Sequence, residues 1–274
     1  VISKERVLEV NRISWRKQHT TAVFDSTMVH MGWKVMIYIP RARYLKKRFN
    51  YKRLVVVCNK RDKYLWNDVA DEFEFNERRS RWPYIGPEPL LPDYVKKKYG
   101  CFSLQHPPRY KGLAYGNNFT HIEYGEEKGE RYDLAINASR NFQLGAKDYG
   151  LLLDFLGYKK VCFVGDGYYV PGADDFRNCS MDKVCNALRM SKFYFGPMSP
   201  TAHLPALTGT SRILWGRGME CDPFTNNRTL RYVYGKKWNP FKVKTEFMLS
   251  ARKFKVKDMA RFILTCFGER FKYV

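Results

Sequence analysis

The apolar positions of this 274-residue chain fall into short unbroken runs set between stretches with helical spacing. Leu54 to Cys58 reads LVVVC, apolar throughout. Such a run predicts a strand covered on both faces, as inside a parallel sheet. Upstream, Thr20 to Asp25 (TTAVFD) predicts a first strand ending on an acid. Between them, Gly32 to Phe49 spaces Trp33, Met36, Ile37, Tyr44 and Leu45 for one helical face, and Pro40 is expected to kink or divide that helix. Tyr64 to Phe75 predicts an amphipathic helix. The order strand, helix, strand, helix predicts the opening of a doubly wound sheet.

From Trp82 to Gly100 prolines and glycine break the pattern, and residues 101–130 read as loops with short strands. The alternation then resumes. Asp133 to Ala138 predicts a strand, Ala146 to Leu156 a helix closed by Gly157, and Lys160 to Val164 a strand that Gly165-Asp166-Gly167 turns away. Met181 to Met190 predicts a helix with Asp182 in its first turn, where an anion suits the dipole. Phe193 to Gly216 then reads as strand, tight turn through Gly196 to Pro200, helix over Thr201 to Leu207, and strand over Ser211 to Trp215. A last amphipathic helix is expected over Val256 to Phe267. The charged stretch Glu126 to Glu130 marks the expected boundary, giving α/β domains at 1–130 and 131–274.

In open α/β sheets ligands sit beyond the carboxyl ends of the strands, and a helix N-terminus there offers N–H groups to an anion. Gly196, Ser199, Thr201 and His203 are therefore expected to face a phosphate. The plainer alternative is a strand–turn–helix whose histidine is only hydrogen-bonded structure. The stretch G-P-M-S-P-T-A-H-L-P-A-L-T-G-T resembles the nucleotide-sugar-binding segment of heptosyltransferase-like, family 9-like glycosyltransferases of the two-domain GT-B fold. Ser199, His203, Leu204 and Ala206 match that pattern. Met198 stands where an acid is common and Pro200 where glycine is. His30-Met31-Gly32-Trp33 and the segment after Arg53 resemble a phage and marine-bacterial group among these enzymes, with His30 and Lys34 where that group has acids. Ser139-Arg140-Asn141 matches its Arg-Asn pair.

The resemblance implies two Rossmann-like doubly wound domains facing a cleft, with the C-terminal helix crossing back onto the first domain. It implies transfer of a sugar from a nucleotide-sugar, which is a substrate, so no cofactor is expected. Such a transfer needs a base for the acceptor hydroxyl and donors or cations for the departing diphosphate. Asp25 and His30 are the candidate bases. Arg140, Asn141, Lys147, Asp166, Gly196, Ser199, Thr201 and His203 form the expected donor set, and Asp174 or Asp175 could hydrogen-bond the ribose or the sugar. No metal is expected, since Asp166, Asp174 and Asp175 read as turn and loop acids and no His or Cys sits at ligand spacing.

Charge changes the picture for the acceptor. The net charge is +22, with Lys and Arg in excess by about 8 in residues 1–50, about 1 in residues 101–200 and about 10 in residues 201–274. Basic ends of this kind favour a polyanionic partner. Arg41, Arg43 and Lys47 are the expected acceptor contacts, with the tail around Lys253, Lys255 and Lys257. The acceptor is expected to be modified phage DNA, with a lipopolysaccharide core or other acidic glycan as the alternative. A non-catalytic basic nucleic-acid-binding protein is the competing reading, to which 19 Tyr and 19 Phe lend stacking surfaces. A dinucleotide enzyme is disfavoured, since no G-x-G-x-x-G follows a strand. Seven cysteines without a CxxC pair read as reduced, buried thiols. With no apolar run of membrane length and no signal-like opening, a cytoplasmic setting in a bacterium or phage-infected cell is expected.

Overall fold

The computed structural model describes residues 21–27, 31–76, 120–126, 129–139, 144–157, 159–216, 235–236, 239–249 and 254–268. The chain divides into two compact units, Val1–Thr120 and His121–Val274.

In the first unit, β1 (Thr21–Asp25), β2 (Arg53–Cys58) and β3 (Glu72–Phe75) form a parallel sheet in that order. Leu54 to Cys58 are fully buried in the central strand, as an unbroken apolar run requires. Each Val or Leu buried in this way contributes about 1.5–3 kcal/mol. Helix α1 (Met31–Trp33) passes into a π-helical segment, Lys34–Tyr38, and then into α2 (Ile39–Phe49). Pro40 lies in the first turn of α2, directly after the π-helical segment, at the point where the helix changes from π to α.

The helix expected over Tyr64 to Phe75 is not formed. Lys60–Trp66 is a 3₁₀ helix and Glu72-Phe73-Glu74-Phe75 is strand β3, paired with β2 through Val56↔Phe73. The two-residue alternation of that tetrapeptide suits a pleated edge, and it prevails over the helical spacing before it. Asp71 fixes the strand entry, accepting the Leu54 N–H at 2.6 Å and the Lys46 ammonium at 2.7 Å.

The second unit holds β4 (Tyr132–Ile136), β5 (Val161–Phe163), β6 (Asp174–Asp175), β7 (Ser191–Pro197), β8 (Ser211–Gly216) and β9 (Thr245–Leu249). All neighbours are parallel, in the order β6-β5-β4-β7-β8-β9. The chain runs outward from β4 to β6 and returns to the other side of β4 as β7. The strand order therefore reverses between β4 and β7, the switch point at which open sheets bind ligands.

Helices α3 (Ala146–Leu156) and α5 (Val256–Cys266) pack on one another and share a core with Leu134, Ile136, Phe195, Ile213 and Trp215. Helix α4 (Met181–Arg189) packs on β4 and β7. The tail helix places its apolar face, Met259, Ala260 and Ile263, in the core of the second unit. Residues at the start of the charged stretch bond within the second unit. The Tyr124 N–H donates to the Leu207 carbonyl, and the Glu126 N–H to Asn186 Oδ1.

The helix expected over Thr201 to Leu207 is replaced by two 3₁₀ turns, Pro200–His203 and Pro205–Leu207. Pro205 lacks the N–H that an α-helix would have bonded to Thr201. No described helix is long and apolar enough to cross a membrane. Cys58, Cys162 and Cys185 are free and buried, and burial pushes the Cys162 thiol up to about 12.

Candidate functional site

The switch point is built around a neutral amide. Asn137 follows β4 directly, and its N–H continues the ladder to the Phe195 carbonyl at 2.9 Å. Its side chain is buried. Nδ2 donates to the Tyr194 hydroxyl at 3.2 Å and to Ser199 Oγ at 3.3 Å, joining β4, β7 and the loop after β7. Glycines make room for this cluster. A Cβ on Gly196 would lie 2.4 Å from the Tyr194 hydroxyl, and one on Gly165 would lie 2.6 Å from Asn137 Oδ1. A Cβ on Gly167 would lie 1.8 Å from the Ala138 carbonyl oxygen, so only glycine lets the loop after β5 lie against the end of β4. Burial raises the Tyr194 pKa, which keeps the phenol protonated.

The loop after β7 carries the expected phosphate contacts. Ser199 is 8% exposed and opens the first 3₁₀ turn, its carbonyl accepting the Ala202 N–H at 3.0 Å. Thr201 is half-buried and His203 is buried in the same turn. Met198 is buried, and its N–H donates to the Trp215 carbonyl. Arg212, a residue that the sequence reading passed over, braces this turn from β8. Its guanidinium is fully buried and donates from Nη1 to the Ala202 carbonyl at 2.8 Å and from Nε to Thr245 Oγ1 at 2.9 Å. The one signal was a charged residue inside the apolar run Ser211 to Trp215.

The other donor-set residues are more scattered. Lys147 is exposed in the first turn of α3. That helix start is already capped by Asp148, whose Oδ2 accepts the Gly145 N–H at 2.8 Å. Asp166 is exposed between Gly165 and Gly167. Arg140 and Asn141 lie outside the described residues. Asp174 and Asp175, expected as loop acids free for a ribose, form strand β6 and are occupied. Asp174 accepts from the Tyr132 hydroxyl and from Arg131, and Asp175 takes the Arg177 guanidinium in a fork at 2.8 Å. Arg177 also donates to the Gly167 carbonyl, so it fastens the loop after β5. Its hydrogen bond to Asp175 holds that carboxyl below the usual aspartate range.

In the first unit Asp25 ends β1 and is 1% exposed. Oδ1 accepts the Thr27 N–H at 2.9 Å and the Thr27 hydroxyl at 2.6 Å. Oδ2 is buried and has no hydrogen-bond partner among the described residues. His30 lies outside them. Beyond the carboxyl end of β2, Asp62 forms a buried ion pair with Lys34 of the π-helical segment. Of the expected acceptor contacts, Arg41 is half-buried and Lys47 exposed. Arg43 is buried, with its guanidinium on both Asp68 oxygens at 2.6 and 2.9 Å and on the Thr120 carbonyl. That fork neutralises its charge inside the unit, so Arg43 is a poor acceptor contact. Among the described residues no three His, Cys, Asp or Glu side chains gather as a metal site.

Chemically, the loop at the switch point carries the Ser199 and Thr201 hydroxyls and the His203 imidazole as groups that could meet a ligand rich in acceptor oxygens, while Asp25 is a buried acid with one oxygen uncommitted. No family model matches the chain, and no curated protein does. Solved structures do. The glycosyl transferase family 9 protein from Veillonella parvula aligns at 13% identity over 92% of this chain and 90% of its own, with a TM-score of 0.51. The E. coli ADP-heptose LPS heptosyltransferase II aligns at 8% identity over 90% of this chain and 97% of its own, with a TM-score of 0.47. The iron-containing dodecameric heptosyltransferase TibC, solved with ADP-D-beta-D-heptose, aligns at 14% identity over 77% and 62%, with a TM-score of 0.41. The mixed α/β architecture with parallel sheets found here is thus the fold of the Veillonella family 9 glycosyltransferase.

Proposed function

We propose that the chain is a glycosyltransferase of the heptosyltransferase-like, GT-B kind, which moves a sugar from a nucleotide-sugar to an acidic polymeric acceptor. The observation that carries this reading is the convergence of Asn137, Tyr194, Gly196 and Ser199 at the switch point of the six-stranded sheet. The second unit would bind the donor, with Ser199, Thr201, His203, Arg140 and Lys147 on its diphosphate. The first would bind the acceptor. In the transfer the acceptor hydroxyl oxygen bonds to the anomeric carbon as the bond to the diphosphate breaks, and the hydroxyl proton passes to Asp25 or His30. Charge at the leaving group is met by cations and hydroxyls in this reading, without a metal.

The basic surface and the phage and marine-bacterial resemblance support modified DNA as acceptor, with a lipopolysaccharide core or acidic glycan second, and a cytoplasmic site of action. The test is a panel of UDP-, ADP- and GDP-sugars assayed for transfer to duplex DNA carrying hydroxymethylated bases and to lipopolysaccharide. Transfer to DNA supports the full reading, and transfer to the glycan alone keeps the enzyme and replaces the acceptor. Salt-sensitive DNA binding without any nucleotide binding would make the chain a non-catalytic nucleic-acid binder.

A further inference from the structure

Strand β3 alternates Glu72, Phe73, Glu74 and Phe75, and a two-residue repeat sends both acids to one face of the sheet and both aromatics to the other. The aromatic face is shared with Val56 of β2 and Phe24 of β1, which stand in register with Phe73. The 3₁₀ helix Lys60–Trp66 covers it: the Trp66 ring lies 6.1 Å from that of Phe24, and the Lys63 ammonium stands 5.4 Å from the centre of the Phe73 ring. That cover stops short of Phe75, which is 47% exposed at the carboxyl end of the strand. The Phe73 and Phe75 rings are parallel within 5° with centres 6.0 Å apart, an offset stack whose outer ring is still partly bare. No other ring or cation meets Phe75 among the described residues.

The charge beside this stack is positive. The run Lys60-Arg61-Asp62-Lys63 holds one acid, and Asp62 is turned inward onto Lys34, which leaves Lys60 and Lys63 exposed and Arg61 half-buried. Glu72 and Glu74 belong to the opposite face of the strand, where Glu72 takes the Arg53 guanidinium in a fork. An exposed flat ring flanked by lysines suits a planar aromatic group carried on a phosphate chain, which is the chemistry of a nucleobase in a nucleic acid strand.

We infer that Phe75, backed by Phe73 and flanked by Lys63, is a stacking platform for an unpaired nucleobase of the acceptor strand. This rests on the reading of modified DNA as acceptor, and it gives that reading a contact in the first unit beyond charge. A base has to leave the duplex stack before an enzyme can work on it, and an aromatic face at the ligand end of a parallel sheet offsets part of that cost.

The experiment measures, across a range of salt, the binding of a labelled single-stranded DNA oligonucleotide, of the same strand built from abasic residues, and of lipopolysaccharide. The native protein is compared with Phe75→Ala, Phe75→Trp and Lys63→Gln, with thermal melting of each to confirm folding. Phe75→Ala should weaken binding of the intact strand roughly 5- to 150-fold, the scale of one lost base stack, and leave the salt slope unchanged because a stack releases no counterion. Phe75→Trp should hold or raise the affinity. Lys63→Gln should lower the salt slope by about 0.7, the single-strand value for one phosphate contact. On the abasic strand the native protein and Phe75→Ala should bind alike. Equal affinity of those two for the intact strand would overturn the inference and leave the DNA acceptor standing. A loss confined to lipopolysaccharide would assign the ring to a sugar and overturn it as well. If the native protein binds neither strand, the inference and the DNA acceptor both fall.

Discussion

Asp25 and Asn137 occupy matching places and are held in opposite ways. Each lies at the carboxyl end of the first described strand of its unit, and each is almost wholly buried. Asp25 is held locally, by Thr27 two residues on, and one of its oxygens is left without a partner among the described residues. Asn137 is held across the sheet, by residues 57 and 62 positions away. Each leaves one buried side-chain oxygen without a hydrogen-bond partner among the described residues, and only at Asp25 can that oxygen take up a proton. The difference teaches where to look for chemistry and where for recognition: the acid with an uncommitted oxygen is the candidate base, and the amide that joins β4, β7 and the loop after β7 shapes the donor site.

Breaking the comparison at its charged end should give the largest effect. Asp25→Asn keeps an oxygen for Thr27 and removes the buried charge. Stability should stay within about 1 kcal/mol of native or rise, while the rate of sugar transfer falls by about 10²–10⁴-fold, the usual contribution of a general base. Equal losses of both, read from melting curves and initial rates, would make Asp25 a structural turn residue.

The buried Lys34–Asp62 ion pair of the same unit sharpens the contrast, because there both charges are matched. Lys34→Met leaves Asp62 buried and uncompensated and should cost about 3–5 kcal/mol in denaturant unfolding, most of it regained in the double variant with Asp62→Leu. A single-variant loss below about 1 kcal/mol would show that water reaches the pair.

Much of this contrast was legible in the sequence, and what was missed shares a cause. Unbroken apolar runs such as LVVVC and the helix-then-glycine pattern at Ala146 to Gly157 became the expected elements, because burial on both faces and a glycine stop are local properties. Asp25 and Ser199 stood out as polar residues at predicted strand ends. Asn137 and Arg212 did not, since their roles depend on partners far along the chain. The strand Glu72–Phe75 was read as helix because two apolar positions cannot fix a period. Arg43 looked like a surface cation in a basic helix, and only folding brings Asp68 to it.

The smallest effect concerns the loop after β5. Asp175 has a lowered pKa because of Arg177, so its contribution to stability is present above the ordinary aspartate range near 4 and is lost as pH falls through the lower folded value. Arg177→Met should therefore flatten the fall of stability below about pH 4, by less than about 1 kcal/mol because the pair is partly open to solvent. An unchanged acid limb would show that the fork with Asp175 does not hold in solution.

The central claim is that the switch point between β4 and β7 receives a nucleoside diphosphate, and calorimetric titration of the native protein and of His203→Ala with ADP, UDP and GDP tests it most directly. The account predicts saturable binding of one of the three, weakened roughly 10- to 100-fold in a folded His203→Ala variant by the loss of a hydrogen bond to a charged phosphate. No saturable binding, or an affinity that the substitution leaves unchanged, would contradict it.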